Sequence, residues 1–143
     1  MSGEELQALI EAGTVLRAES RSRSRWTRPS RLLRHLDSAE RLAGSDPTGG
    51  FVMAYDAARK AVTAHMRAHG FRVRKGPGEH ERTGQYAAAA LDPEIADHLD
   101  ALGEMRRLRH QSEYGARLIR PRELEVALVH ARAIVEAVEA EPA

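Results

Sequence analysis

The 143-residue sequence contains no cysteine. This absence excludes a disulfide scaffold, a thiolate zinc site and a cysteine nucleophile, and it makes an oxidising compartment unnecessary. No apolar run approaches the roughly 20 residues that a membrane helix needs. Residues 1–13 are too acidic and too polar for a signal peptide. We therefore expect a cytoplasmic protein without a membrane-embedded part.

Lysine and aromatic residues are also scarce. The 22 basic residues include two lysines, and Phe, Trp and Tyr together make up 4% of the chain. With so few aromatic side chains, stacking platforms for single-stranded nucleic acid are not evident. The glycine pairs lack the spacing and the trailing lysine of a phosphate-binding loop, so the sequence offers no case for nucleotide binding by that device.

Charge is nearly balanced in total but unevenly distributed. The formal net charge is +1. Residues 17–41 hold eight arginines against three acidic residues, residues 101–122 hold six against two, and residues 123–143 hold five glutamates against one arginine. If the two basic segments converge, they form a phosphate-binding surface. A solvated surface that is neutralised by the acidic segment accounts for the same pattern equally well.

Apolar residues recur at helical spacing in four long stretches. The predicted principal helices cover residues 29–43, 50–69, 92–114 and 121–139. Shorter helical pieces are predicted within residues 2–13 and 85–91, and residues 71–84 are predicted to be an exposed loop.

No stretch alternates with period two between hairpin turns. The predicted fold is therefore all-α, with four principal helices in an antiparallel bundle and short additional helices. We expect a single domain over residues 1–143, because a chain of this length can bury one core. Within it, residues 1–28 form a short N-terminal helix and a basic linker, and residues 29–139 form the bundle.

The third predicted helix carries the most informative side chains. Arg109 lies seven residues after Leu102, so it continues the core-facing stripe. A guanidinium on that line must be paired, face a cleft or lie at an interface. Arg106, His110 and Tyr114 are spaced by four and form an adjacent polar row. A cation, an imidazole and a phenol are therefore predicted near one helix end.

This segment resembles the signature of the HEPN superfamily of small α-helical bundles, which is an arginine, four to six residues and then a histidine. Arg109 and His110 match the opening of the signature, and Tyr114 stands at the closing position in place of the histidine. Residues 51–60 also resemble the paired helix of bacterial HEPN proteins. The likeness covers about residues 29–139 in helix order.

The resemblance implies a homodimer whose signature helices face each other across a cleft, and in many members a metal-independent ribonuclease. RNA cleavage by the 2′-hydroxyl needs a base, an acid and a cation. On this hypothesis Arg109 stabilises the phosphate, His110 shuttles or positions a proton, and Tyr114 donates a hydrogen bond. Arg106 and Arg107 would bind further phosphate. Tyrosine is a poor base near neutral pH, so its presence at the closing position bears on catalysis but not on the fold.

Arg109 has a plainer interpretation of about equal weight. In this interpretation Arg109 pairs with an acid such as Asp56 or Glu113, and Tyr114 packs at the helix end. In the catalytic interpretation, Asp56 and Glu113 would support the site. The functional hypothesis is thus an RNA-associated protein, in its sharpest form a toxin-type endoribonuclease. The alternatives are a non-catalytic module that binds a nucleotide or a nucleotidyltransferase-type antitoxin, and a purely structural dimer.

Neither a metal nor a cofactor is expected. His65 and His69 are spaced for two ligands on one helix face, but the sequence places no third ligand with them. The segment Gly78–Glu81 contains candidate ligands in the predicted loop, where solvated charge is the more usual meaning.

Overall fold

The computed structural model describes residues 3–21, 29–115 and 117–141. Six α-helices lie within these ranges. They are α1 (Gly3–Glu11), α2 (Pro29–Arg41), α3 (Pro47–Ala68), α4 (Glu79–Ala90), α5 (Ala96–Tyr114) and α6 (Pro121–Ala140). The predicted all-α class is confirmed, and α2, α3, α5 and α6 are its four principal helices.

The ends of the central helices follow from local chemistry. α3 begins before the apolar stripe does, because the Asp46 side chain accepts a hydrogen bond from the Gly49 amide at 3.0 Å and caps the first turn. Beyond the C-terminal end of α3, Gly70 takes a φ of 84°, the left-handed conformation that stops a helix. A short 3₁₀ turn over Pro93–Ile95 leads into α5, and Asp92 caps that turn.

The long helices alternate in direction along the chain, which leaves α3 and α6 parallel. At their N-terminal ends the Ile119 amide donates to the Thr48 hydroxyl at 3.1 Å. At their C-terminal ends Glu141, just past α6, contacts His65 of α3. α2 packs against both helices, and so does α5. α3 and α6 therefore form the centre of the bundle.

The predicted stripes of the two central helices are buried along their whole length. They consist of Phe51, Tyr55, Ala58, Val62 and Met66 in α3, and of Leu124, Leu128, Ala131, Val135 and Val138 in α6. α5 is more exposed, and within it Leu102 and Met105 are the buried residues. Most of the polar surface of α5 is therefore exposed to solvent.

The expected loop over residues 71–84 is wrong in two places. Phe71–Arg72 pairs with Leu16–Arg17 in a two-stranded antiparallel sheet. α4 begins at Glu79, directly after Gly78, whose φ is 83°. The hydrophobic pattern misses this start because the first turn of α4 is charged and contributes no apolar stripe. As a result, residues assigned to a loop are placed on a helix that faces α3.

The N-terminal segment packs on the bundle. Val15 is fully buried, and Leu6, Leu9 and Ile10 lie against the core. Ser2, at the start of the predicted N-terminal helical piece, and residues 22–28 of the predicted basic linker lie outside the described residues. No helix in the described part of the chain is long and apolar enough to cross a membrane.

Candidate functional site

The signature-like end of α5 packs on α3 through Arg109. Its guanidinium lies between two acids, with Nη1 3.3 Å from Glu113 Oε2 and Nε 4.0 Å from Asp56 Oδ1. It also covers the ring of Tyr55, with Cζ 5.7 Å from the ring centroid. The side chain is 28% exposed. The geometry therefore matches the paired interpretation of Arg109, in a position that solvent still reaches.

His80, from the segment that was predicted to be a loop, lies against Tyr55. Nδ1 of His80, in the first turn of α4, is 2.6 Å from the Tyr55 hydroxyl. The two rings stack with their planes 6° apart and their centroids 5.9 Å apart. Tyr55 is buried, whereas His80 is half-buried. The pair therefore presents a polar edge between α3 and α4.

A groove of about 690 Å³ opens beside this pair. α3 and α4 contribute Tyr55, Arg59 and His80 to its wall, and α5 contributes Arg106 and Arg107. Nε of Arg59 is buried and has no hydrogen-bond partner in the part of the chain that the structure describes. We call this space the α3–α5 groove; its walls carry the three arginines together with three acidic residues, Glu81, Asp100 and Glu104.

The charges around the groove act on its two titratable rings. Burial lowers the pKa of His80 below its ordinary value, and repulsion from Arg59, Arg106 and Arg109 lowers it further. At neutral pH this imidazole is therefore uncharged and able to accept a proton. Burial raises the pKa of Tyr55, so its hydroxyl keeps its proton. The groove thus combines a neutral base, a phenol and permanent cations.

The predicted site residues divide into two groups. Arg106 and Arg107 line the groove, although the Arg107 guanidinium is paired with Glu104. His110 and Tyr114 lie beyond it on the exposed face of α5, where their ring centroids are 4.8 Å apart. Tyr114 is 75% exposed. Among the described contacts, none joins either ring to His80 or Tyr55.

Three groove residues, Tyr55, Arg59 and His80, were not predicted as site residues from the sequence. Tyr55 is indistinguishable from a core residue, because it belongs to the buried stripe of α3. Arg59 follows it by four residues and therefore shares its helix face, which was the available signal. His80 lies 25 residues from Tyr55, and no local pattern predicts their contact. That contact depends on how the turn after α3 directs α4.

A second polar cluster lies at the C-terminal ends of α3 and α6. His65, His69 and Glu141 each offer one ligating atom, and these atoms lie within 4.8 Å of one another. The spacing of the two histidines is evident from the sequence, whereas the glutamate becomes a neighbour through the parallel packing of α3 and α6. This cluster is the described group that could hold a metal ion.

Comparison with known proteins agrees with the all-α fold. Searches of curated proteins and of solved structures found no match. A family model described as the HEPN domain matches residues 30–141, which run from the first turn of α2 to the residue after α6 and include the whole α3–α5 groove. Because this match covers well over half of the chain, the protein belongs to the HEPN domain family.

Proposed function

We propose that this protein is a metal-independent endoribonuclease that binds RNA in the α3–α5 groove. Family membership indicates an RNA-associated or nucleotide-related function. The observation that carries the finer proposal is the environment of His80, whose half-buried imidazole contacts the Tyr55 hydroxyl and whose pKa is lowered by burial and by repulsion from Arg59, Arg106 and Arg109. This combination supplies a proton acceptor near arginines that can pair with a phosphate.

The groove residues suit cleavage by the neighbouring 2′-hydroxyl. In the tautomer that carries its proton on Nδ1, His80 donates to the Tyr55 oxygen and keeps the Nε2 lone pair for the 2′-hydroxyl proton. Arg59 and Arg106 balance the charge that develops on the phosphorane oxygens. The 2′-oxygen bonds to phosphorus, the 5′-oxygen leaves and takes a proton from solvent, and a 2′,3′-cyclic phosphate remains.

Arg109 has a positioning role in this proposal. Its guanidinium covers the Tyr55 ring and is held by the hydrogen bond to Glu113, with Asp56 at 4.0 Å, so it positions the phenol that orients His80. His110 and Tyr114 lie outside the groove and are assigned to contacts with the flanking RNA or with a second protomer. In this proposal His80 supplies the imidazole that the HEPN signature would place at the position of Tyr114.

The decisive experiment measures cleavage of labelled RNA in EDTA. We expect His80→Gln to lower the rate by about 10²- to 10⁴-fold, which is the usual contribution of a general base. Arg106→Ala should also lower it, whereas Arg34→Ala, an exposed arginine on α2, should not. Substrate with a 2′-deoxy sugar at the cleaved position should resist cleavage. Wild-type rates in His80→Gln would overturn the proposal.

The same assay tests the residues predicted from the sequence. If His110→Ala and Tyr114→Phe abolish cleavage while His80→Gln does not, the signature row is the active site and the groove is not. If His80→Gln abolishes cleavage while His110→Ala and Tyr114→Phe do not, the groove is the active site, and His110 and Tyr114 serve RNA binding. Expression of a nuclease toxin should inhibit bacterial growth, and Arg106→Ala should relieve that inhibition.

A non-catalytic module is the second candidate, favoured by the double pairing of Arg109 and by the exposed tyrosine at the closing position. Such a module binds a nucleotide or a nucleotidyltransferase-type antitoxin without cleaving RNA. It predicts that wild type and His80→Gln are equally inactive on RNA, that expression is harmless, and that a partner co-purifies with the protein.

We also propose that two copies associate through the end of α5. Tyr114 and Leu118, four residues further along the chain, are 75% and 80% exposed and offer apolar surface for a contact. Burying both in a symmetric contact would bring two signature helices together. Sedimentation of wild type and of a Leu118→Glu variant tests this: the variant should be monomeric at concentrations where wild type is dimeric.

A further inference from the structure

The C-terminal ends of α3 and α6 hold a polar cluster that the proposed nuclease does not use. We propose that His65, His69 and Glu141 form a binding site for a single Zn²⁺ ion. The site is separate from the α3–α5 groove, because the ten residues from Tyr55 to His65 span about 15 Å along α3. One ligating atom from each of the three side chains lies within 4.8 Å of the other two.

The hydrogen bond of His69 leaves the correct nitrogen available. Its Nδ1 lies 2.8 Å from the carbonyl oxygen of His65. A carbonyl only accepts, so Nδ1 carries the proton and Nε2 of the neutral ring carries the lone pair. The two histidine rings are nearly parallel, 19° apart, with centroids 4.0 Å apart. Both imidazoles therefore present their edges to the same small volume.

The buried ring of His65 contacts a side chain at each of its two nitrogens. It is 2% exposed, its Nδ1 lies 2.9 Å from the Tyr86 hydroxyl, and its Nε2 contacts Glu141. A metal ion would enter between that nitrogen and the carboxylate. The ring proton would then lie on Nδ1 and be donated to the Tyr86 oxygen. Histidines that bind metals are oriented by this kind of outer hydrogen bond.

The donor set selects the ion. Two imidazole nitrogens and one carboxylate oxygen suit Zn²⁺, with a water as fourth ligand, whereas Mg²⁺ and Ca²⁺ prefer oxygen ligands throughout. Zinc bonds of about 2.0–2.2 Å at tetrahedral angles place the ligating atoms roughly 3.3 Å apart. The Glu141 carboxylate therefore has to draw back from Nε2 of His65 to admit the ion. His69 is exposed and Glu141 is half-buried, so both are able to adjust around the buried His65. The bound ion would fasten the end of α6 to α3 and, through Tyr86, to α4.

The test is a zinc titration of the full chain without a histidine tag, read against a chromophoric chelator. We expect one Zn²⁺ per chain, with affinity reduced at least tenfold in His69→Ala and in Glu141→Gln. Tyr86→Phe, which keeps the buried ring, should weaken binding about 10- to 100-fold. Co²⁺ should give the visible absorption bands of a tetrahedral site in wild type but not in His69→Ala or Glu141→Gln.

Two controls keep the test decisive. His65→Ala risks unfolding because the residue is buried, so the more exposed His69 and Glu141 carry the test and circular dichroism confirms that each variant is folded. His98→Ala disrupts the other histidine pair, His98 with His130, and should leave zinc affinity unchanged. Absent zinc binding, equal affinity in wild type and His69→Ala, or loss of binding in His98→Ala would each overturn the proposal. RNA cleavage in EDTA is independent of all three results.

Discussion

At the scale of single residues, neighbouring arginines of α5 carry the same charge but differ in what they can still bind. Arg107 is exposed and paired with Glu104, and Arg109 is held between two acids. Arg106 lines the groove and makes no ion pair within 4.0 Å in the described part of the chain. A paired guanidinium must leave its carboxylate before it binds a phosphate. Arg106 has no such ion pair to break among the described contacts, so it is the arginine of the three best able to bind a phosphate.

We predict that Arg106→Ala weakens RNA binding more than Arg107→Ala does. Loss of one phosphate contact should lower the salt dependence of the binding constant by about one unit of slope. Fluorescence anisotropy with labelled RNA over a series of salt concentrations measures both quantities. Equal affinities and equal slopes in the two variants would show that the ion pair with Glu104 does not matter.

We further predict that the pKa of His80 is below the ordinary histidine value and rises when a nearby positive charge is removed. Burial and three arginines lower it in the folded protein, so Arg106→Ala should raise it. An NMR titration of the His80 ring measures the pKa directly and does not depend on activity. Arg34→Ala is the matched control, and an unchanged pKa in Arg106→Ala would contradict the electrostatic model of the groove.

At the scale of helices, the close packing of α2, α3 and α6 depends on one glycine. A Cβ at Gly50 would stand 2.8 Å from the carbonyl oxygen of Ala39 and 2.8 Å from a methyl of Leu124. The first of these atoms belongs to the backbone and cannot rotate away. α3 therefore has to keep a glycine in its first turn so that the three helices approach each other.

Gly50→Ala should lower the free energy of unfolding by about 1–2 kcal/mol, because overpacking costs more than the gain in helix propensity. Gly103→Ala is the matched control, since a Cβ there meets nothing within 4 Å. That variant should be more stable than wild type by about 0.5–1 kcal/mol. Urea denaturation of both variants checks the predicted opposite signs, and stabilisation by both substitutions would refute the packing argument.

At the scale of the whole molecule, burial lowers the pKa of three histidines on different helices. They are His35 on α2, His80 on α4 and His130 on α6; Arg31, Arg59 and His98, respectively, add the largest charge repulsion to that burial. Each group binds a proton more readily in the unfolded chain than in the folded one. Above the histidine pKa of the unfolded chain, these groups do not lower the free energy of unfolding. As the pH falls below that pKa, the unfolded chain takes up protons that the folded chain does not, and the free energy of unfolding decreases.

Thermal unfolding in EDTA should therefore show a melting temperature that decreases from about pH 7.5 to about pH 5.5. EDTA removes any contribution from a bound metal ion. His130→Gln should flatten part of this dependence, because it removes one of the three protonations. A melting temperature that rises as the pH falls over this interval would contradict the directions of the three pKa shifts.

Much of the fold was predictable because it depends on local periodicity. The buried stripes of α3 and α6 recur at helical spacing, and their capping residues are adjacent in sequence, so both can be recognised within a few turns. The start of α4 was not predictable, because its first turn is charged and its buried face meets α3 across a turn. The same limitation hid His80, whose partner Tyr55 lies on another helix.

The sequence by itself determined the all-α class, the positions of the long helices, the family resemblance and the concentration of arginine near the end of α5. These properties depend on residues within a few turns of one another. The tertiary structure alone decided that Tyr55 contacts His80, that Asp56 of α3 lies beside Arg109 of α5, and that Glu141 lies beside His65. Each of those contacts joins separate helices, so it depends on helix direction and packing, which no local pattern specifies.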